Sequence, residues 1–596
     1  MLQLTSAAAI LHGQNRPLSA AVRVASNKPT LHIDGKPVYA CLYALTDCPG
    51  GRWPQDENAA RSIRQFVDAG FRMFQVDLFL QEVWRSPDAK IDLEPARRLI
   101  RGITELCPNA AVFLRWHVNP PPWWMEQNPG ELCRWANDPN YEKIEHTQHT
   151  RIIHDDLKRV PRVSLASEKW LQMAVAKTRE FLAGLSKTRE GNSLAGVQVA
   201  CGVYGEWHYW AFPQNEPDVS EPMRRRFGKP VPGVAERQEA GNEAVAEYYR
   251  LQHRLVADCI TTLCETVKKA WPRPIVTGTF YGYFFSMFNR QASGGHLELH
   301  RVLESPYVDY LSAPQAYGTL FRDLGGSGAT RALVETIRLH GKLFLDEMDQ
   351  APSWQWRNNV DLAFGLTDIE RDVAILRRNV LESYTRGAGL WFYDFGPANH
   401  TGWWQDTRLM TEIRQLKALL ERYHAAAPYQ PAGDVLYVFD TEVFYYTGNQ
   451  DKVTDPLAVN QTIGQAYRSG AAIETIHVRD LGRVDLSRFK VVVLANLWRS
   501  SVVAPSGVKV LSQGKSPAEF RAVTAADLRK ACDEAGAHLY TDREGDVVHA
   551  GGGLVLIHTK DGGPRRLKFR SGRQVEVTLP AKSSWIFDAV SGERLL

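Results

Sequence analysis

The 596-residue sequence predicts an α/β protein: a (β/α)8 barrel, then a small parallel α/β unit, then a terminal β-sandwich. Three observations predict it. Short apolar runs alternate with longer amphipathic stretches from about residue 36 to 400. A Pro- and Gly-rich break, PYQPAG, follows at 428–433. The last 45 or so residues then change character, to short strands between Gly- or Pro-containing turns.

Eight strand candidates stand in order at 38–45, 72–78, 111–117, 196–202, 274–279, 308–313, 342–346 and 389–393. Helical periodicity fills the gaps, most clearly at 59–69, 94–106, 168–185, 236–270, 327–339 and 368–385. Eight strands alternating with helices point to a closed barrel. A doubly wound open sheet is the alternative, disfavoured because no Gly-rich phosphate loop follows the first strand. Beyond the break, strands at 434–439, 473–477 and 491–494 and helices at 456–468 and 525–535 make the α/β unit, the last helix capped by Thr524. Strands at 554–558, 567–569, 574–578 and 584–588 make the sandwich. The expected divisions are an N-terminal segment 1–35, a catalytic barrel 36–425, the α/β unit 434–545 and the sandwich 546–596.

At 44% hydrophobic and 23% charged the chain is globular, and no apolar run reaches membrane-spanning length. A net charge of +4 without a dense basic stretch argues against a nucleic-acid surface. The eight cysteines have no CxxC spacing and no HExxH occurs, so they read as buried thiols rather than a disulfide framework or metal site. Residues 1–12 lack the positive stretch of a signal peptide. The expectation is a cytoplasmic protein, or one already matured from a periplasmic or secreted precursor. The 17 Trp are the unusual feature, with doublets at Trp123 and Trp124, Trp207 and Trp210, Trp354 and Trp356, and Trp403 and Trp404. Their flat faces suit either core packing or the C–H side of a sugar ring.

In such a barrel the active site lies at the carboxyl ends of the strands. Polar residues close several of them: Asp77 on the second, Arg115, His117 and Asn119 on the third, Glu206 with Trp207 and His208 after the fourth, Tyr317 after the sixth, Glu347 on the seventh, and Trp391 on the eighth. Two carboxylates flanking a glycosidic bond suffice to hydrolyse it. Glu206 and Glu347 can face each other across the mouth, Glu206 as acid/base with a raised pKa and Glu347 as an ionised nucleophile. Asp346 and Asp349 compete with Glu347, but strand alternation turns Asp346 and Glu347 to opposite sides. Asp77, Arg115, His117, Asn119, Trp207, His208, Tyr317 and Trp391 are the candidate substrate-binding residues, with a plain structural hydrogen bond the competing role for His117.

The pairing of GVYGEWHYW with KLFLDEMD resembles the clan A retaining glycoside hydrolases. The stretch GGHLELHRVLESPYVDYLSAPQAYG and the three-part domain order are similar to family 42 β-galactosidases and family 164 β-mannosidases. The resemblance implies a flavodoxin-like α/β unit, an acid/base at Glu206, a nucleophile at Glu347, a carbohydrate substrate, no cofactor, and assembly as a homotrimer. Two departures stand out: the clan's Asn-Glu pair at the acid/base is Gly205-Glu206 here, and the zinc-binding cysteine cluster of some family 42 members has no counterpart. The functional expectation is a retaining exo-β-glycosidase, acting on a β-galactoside or β-mannoside. The alternatives are a glycosidase of other specificity, a non-catalytic sugar-binding barrel, a metal-dependent hydrolase using His117, His208 and Asp77, and amidotransfer in the α/β unit.

Overall fold

The computed structural model describes residues 17–45, 53–137, 162–209, 216–286, 291–354, 367–394, 402–448, 461–516 and 519–596. β1 (Ala20–Ala25), β2 (Lys28–Ile33) and β3 (Lys36–Val38) form an antiparallel sheet. Its edge is tied to the loops entering two barrel strands: the Leu18 N–H donates to the Asn192 carbonyl at 2.8 Å, and Ala20 N–H to Pro274 at 3.0 Å. The sheet therefore lies at the amino-terminal end of the barrel, opposite the carboxyl ends of its strands.

The barrel strands are β4 (Cys41–Leu45), β5 (Met73–Phe79), β6 (Ala111–His117), β7 (Leu194–Ala200), β8 (Val276–Phe280), β9 (Tyr310–Pro314), β10 (Leu343–Met348) and β11 (Gly389–Asp394). Each pairs in parallel with the next, and β11 pairs back with β4 to close the barrel. Every residue of these strands is buried, which is why they read as continuous apolar runs rather than alternating ones. All eight coincide with strand candidates of the sequence, their ends displaced by no more than three residues.

Two predicted helices are shorter than their periodicity. The run at 236–270 divides into Val234–Arg237 and Glu243–Ala270. Gly241 breaks it with φ of +76° and donates its N–H to the Tyr446 carbonyl, and Asn242 caps the second helix by accepting from the N–H groups of Ala244 and Val245. The run at 327–339 is helical only over Val334–Leu339. Gly328 takes φ of +69°, and the preceding residues form a loop that carries Arg331 into the protein.

In the α/β unit β12 (Val435–Phe439), β13 (Ile473–His477), β14 (Val491–Leu494) and β15 (Lys509–Ser512) form a parallel sheet in the order β13-β12-β14-β15. β15 is short and exposed, and no apolar run marks it. Of the helix expected at 456–468, residues 456–460 lie outside the described residues and 461–466 are helical. The helix Ala525–Ala535 is capped as expected by Thr524, in a reciprocal arrangement with Asp527. At the C-terminus β16 (Val547–Gly551), β17 (Leu554–Thr559) and β20 (Ser583–Asp588) form one antiparallel sheet, and β18 (Gly563–Lys568) with β19 (Gln574–Leu579) a hairpin. No helix among the described residues is long and apolar enough to cross a membrane. The seven described cysteines are free and buried; Cys48 lies outside the described residues.

A buried ion network joins the α/β unit to the barrel. Arg386, at the end of the helix Ile369–Thr385, donates to both carboxyl oxygens of Glu335, to Glu382 at 2.8 Å and to the Thr475 hydroxyl on β13. Glu335 also accepts the Thr475 N–H at 2.8 Å. Burial would raise the Glu335 carboxyl, but the Arg386 guanidinium holds it below its usual range. Arg386→Met leaves two buried carboxylates without their cation, which costs about 3–5 kcal/mol. The expected outcome is a marked drop in the denaturant midpoint, measured by tryptophan fluorescence on the full chain.

Candidate functional site

The carboxyl ends of β5, β6, β7 and β10 bring the predicted acids and bases together. In the β5–β6 register Asp77 stands opposite Arg115 and Phe79 opposite His117. Arg115 and His117 are two apart on β6, so both side chains leave the same face. The His117 ring nitrogen lies 3.4 Å and the Arg115 Nε 3.6 Å from one Asp77 oxygen. Phe79 stacks on the His117 ring at 4.1 Å. The Arg115 guanidinium sits 4.8 Å from the Phe280 ring centre and donates to the Tyr204 carbonyl.

Glu206 stands in a tight turn after β7. Gly202, Tyr204, Gly205 and Trp207 all have φ between +58° and +76°. Left-handed backbone at Tyr204 and Trp207 is costly, and the surroundings hold it there. The Trp207 N–H donates to Cys201 O at 2.8 Å and its indole N–H to Val199 O at 3.1 Å. Val203 N–H donates to His208 O at 3.0 Å. Beneath the turn, His296 Nε2 donates to the Glu206 carbonyl at 2.7 Å, and the His208 ring stacks on His296 at 3.9 Å. Burial lowers the His208 pKa to about 3 and that of His296 well below the usual range, so both rings stay neutral supports.

Gly205 has a second reason to be glycine. A Cβ there would meet His117 Cε1 at 2.6 Å and Nδ1 at 2.9 Å. The imidazole of His117 fills the space that the side chain of an Asn-Glu pair would enter.

Glu347 is on β10 and 4% exposed. Asp346 beside it points outward to the Ser383 hydroxyl on the helix Ile369–Thr385, so alternation turns Glu347 to the barrel interior. Across the β10–β11 register Glu347 faces Trp391, whose indole donates to Ser312 Oγ at 2.8 Å. Burial pushes the Glu206 carboxyl up to about 7, opposed by Arg331 and Arg115 and reinforced by Asp349. Burial also drives Glu347 well above its usual range, and the charges of Asp349 and Glu206 add to the rise. The charge of Asp349 raises both carboxyls, and Arg331 and Arg115 oppose the rise at both. Sequence alone implied an ionised Glu347; in the empty mouth burial and neighbouring carboxylates raise it well above its usual range.

Two residues here, Arg331 and Tyr283, carried no signal as strand-end polar groups, and Asp349 had stood only as a competitor of Glu347. Arg331, buried, lies over the Tyr317 ring at 4.3 Å and the Tyr283 ring at 5.3 Å, and its charge acts on both Glu206 and Glu347. It comes from the stretch whose periodicity suggested a helix. Tyr283 presents a buried hydroxyl with no hydrogen-bond partner among the described residues, and burial, then the charges of Glu206 and Glu347, raise its pKa. Glu347 Oε2 is likewise buried without a partner among the described residues. Asp349 accepts from the Tyr317 hydroxyl and from Arg322, which commits Tyr317 to an internal bond.

The remaining predicted residues divide. Trp391 lies beside Glu347. Trp207 is fully buried and His208 nearly so, both beneath the turn rather than lining open space. Asn119, past the end of β6, accepts from the Cys201 thiol at 2.8 Å. Of the Trp doublets, Trp124, Trp403 and Trp404 are core residues; Trp404 donates to Tyr393 O at 2.8 Å. Trp210 and Trp356 lie outside the described residues, as do 210–215 of the loop after Glu206.

No family model matches the chain, and no curated protein matches it in sequence. Solved structures do match. The β-galactosidase from the psychrophilic Marinomonas ef1 aligns with a TM-score of 0.58 at 11% identity, over 92% of this chain and 99% of that one. The β-galactosidase of the haloarchaeon Halorubrum lacusprofundi aligns with a TM-score of 0.58 at 13% identity, over 92% and 98%. A catalytic mutant of Gan42B, a GH42 β-galactosidase from G. stearothermophilus, gives 0.57 at 11%, over 92% and 98%. The chain has the fold of the family 42 β-galactosidases.

The fit of His117 against Gly205 yields a test that needs no substrate. Gly205→Ala should lower the melting midpoint through left-handed strain and the clash, about 1–3 kcal/mol. His117→Ala in the same chain should recover part of the loss, a coupling of at least about 0.5 kcal/mol in a double-mutant cycle by thermal denaturation.

Proposed function

We propose that the protein is a retaining exo-β-glycosidase that cleaves a terminal β-galactoside, or a β-mannoside, by double displacement. The observation that carries the proposal is the pair Glu206 and Glu347, raised by burial and by the charges around them at the mouth of a barrel whose fold is that of known β-galactosidases. One carboxyl kept protonated and one ionised supply an acid and a base together. A sugar-binding barrel without catalysis would gain nothing from holding two carboxyls raised in this way.

In the first step Glu347 attacks the anomeric carbon while Glu206 gives its proton to the departing glycosidic oxygen. In the second, Glu206 takes a proton from water, which displaces Glu347 and releases the sugar with its β configuration kept. Glu206 must hold its proton, and Glu347 be ionised, when substrate arrives. Arg115 and Arg331 oppose the rise at both carboxyls and so stabilise the ionised Glu347. Asp77, His117 and Arg115 form a polar wall for sugar hydroxyls, Trp391 offers a ring face, and the unpartnered Tyr283 hydroxyl and Glu347 Oε2 are satisfied by the bound ring. Trp207 and His208 hold the turn that aims Glu206, Tyr317 orients Asp349, and Asn119 fixes the segment after β6. The free thiols accord with a cytoplasmic setting. By the family resemblance, the chain assembles as a trimer.

A panel of nitrophenyl α- and β-glycosides tests the reading, with turnover expected on one β-sugar. Glu347→Gln should abolish it by several orders of magnitude, and azide should restore Glu347→Gly with formation of an α-glycosyl azide. Near-wild-type rates in Glu347→Gln would overturn the mechanism. Glu206→Gln should cost about 10²–10⁴-fold on poor leaving groups and much less on dinitrophenyl glycosides, which need no acid.

The pH profile follows from the same residue. A carboxyl raised to about 7 is a competent acid below that pH and loses its proton above it, so kcat/KM should fall as pH rises through about 7. In Glu206→Gln this basic limb should disappear.

A further inference from the structure

A second cluster of ligating side chains lies away from the mouth, where the α/β unit meets the barrel. His300 comes from the helix Leu299–Leu303, His340 follows the helix Val334–Leu339, and Asp480 belongs to the turn of 3-10 helix Val478–Arg483 after β13. His340 Nε2 lies 2.9 Å from one Asp480 oxygen and His300 Nε2 3.1 Å from the other. One donor atom from each of the three residues falls within 4.8 Å of the others. The side chains are 5–6% exposed at the histidines and 1% at the aspartate.

We propose that His300, His340 and Asp480 bind a zinc-class divalent cation that clamps the α/β unit to the barrel. Zinc binds imidazole nitrogen and carboxylate oxygen at about 2.0–2.2 Å, which sets neighbouring donors roughly 3 Å apart, the spacing from each ring nitrogen here to an Asp480 oxygen. Two imidazoles with one carboxylate suit zinc, cobalt or nickel over calcium or magnesium, which prefer oxygen alone. Water completes the coordination. The fourth ring nearby, His477, packs on His300 at 4.7 Å, but its nitrogens already hold the Thr441 hydroxyl and the Arg479 N–H. Arg483 approaches Asp480 at 3.5 Å; its side chain is 53% exposed and swings into solvent when the cation enters. The cation takes the Nε2 lone pair of each ring in place of the N–H bond to the carboxylate; a neutral ring then carries its proton on Nδ1, and a charged ring releases one proton to solvent. The cation holds residues of the barrel helices and of the unit after β13 in one coordination sphere, so it strengthens an interface already built on the Arg386 network and on the bond from the His477 N–H to Thr336 Oγ1 at 2.7 Å.

The test uses the full chain, stripped with a chelator and titrated with Zn²⁺ or Co²⁺. The expected result is one zinc per chain by elemental analysis, visible d–d bands with Co²⁺, and a melting midpoint raised by about 2 °C or more at saturating zinc. Asp480→Asn and His340→Gln should each abolish the bands and the shift. Turnover of an aryl glycoside should persist in the stripped protein, because none of these residues lies at the mouth. If a variant does not fold, the cobalt spectrum of the wild-type chain decides alone. Absence of imidazole-type cobalt bands in the wild type, or equal zinc uptake by the Asp480→Asn/His340→Gln double variant, would overturn the proposal. The clamp stands independently of the glycosidase reading, and failure of either leaves the other intact.

Discussion

Closure of the barrel is the constraint on which the rest depends. β11 pairs back onto β4, and this converts a linear series of strand ends into a ring, so that residues after β7 and on β10 share one enclosure. With that ring closed, Glu206 and Glu347 lose water together, and each feels the same two guanidiniums, Arg115 and Arg331. In an open sheet the same carboxylates would lie along an edge, hydrated and independent. The raised pKa at Glu206 and at Glu347 follows from closure rather than from either local sequence.

The turn that carries Glu206 is where the protein stores backbone strain. Two non-glycine residues, Tyr204 and Trp207, sit at positive φ, and the Trp207 indole, the neutral His208–His296 stack and the His296 bond to the Glu206 carbonyl hold them there. The resulting rigidity has a consequence for His117. Its ring occupies the place a side chain at position 205 would need, so the polar wall of the mouth is built from β6 instead of from the residue before the acid. Gly205 and His117 are therefore a single structural choice.

The accessory units are bound to the barrel by buried polar contacts as well as apolar ones. Arg386 with Glu335, Glu382 and Thr475 ties β13 to two barrel helices, and His549 Nε2 meets the Ser327 carbonyl at 2.8 Å to tie the C-terminal sheet to the loop that delivers Arg331. Buried charges of this kind cost desolvation and pay only when every partner is in place, which fixes one docking geometry. The loop with Arg331 is thereby coupled to the terminal sheet, although the two are far apart in sequence.

Sequence by itself determined the barrel, because buried parallel strands are continuous apolar runs with amphipathic helices between them, and all eight runs are visible. It also determined that Asp346 and Glu347 face opposite ways, since alternation is a local property of a strand. It misjudged the run at 327–339, where helical spacing competes with Gly328 and with a tertiary demand for Arg331 at the mouth. The edge strand β15 and the outer strands of the sheet β1–β3 escaped because they stay largely exposed and carry no apolar run. Tertiary structure alone decided that Trp207 and His208 lie beneath the acid's turn, that Tyr283 and Arg331 join the carboxylates, and that Gly205 yields its space to His117. Those outcomes depend on which side chains exclude water from one another across the barrel, and that is set by distances in space that no local spacing encodes.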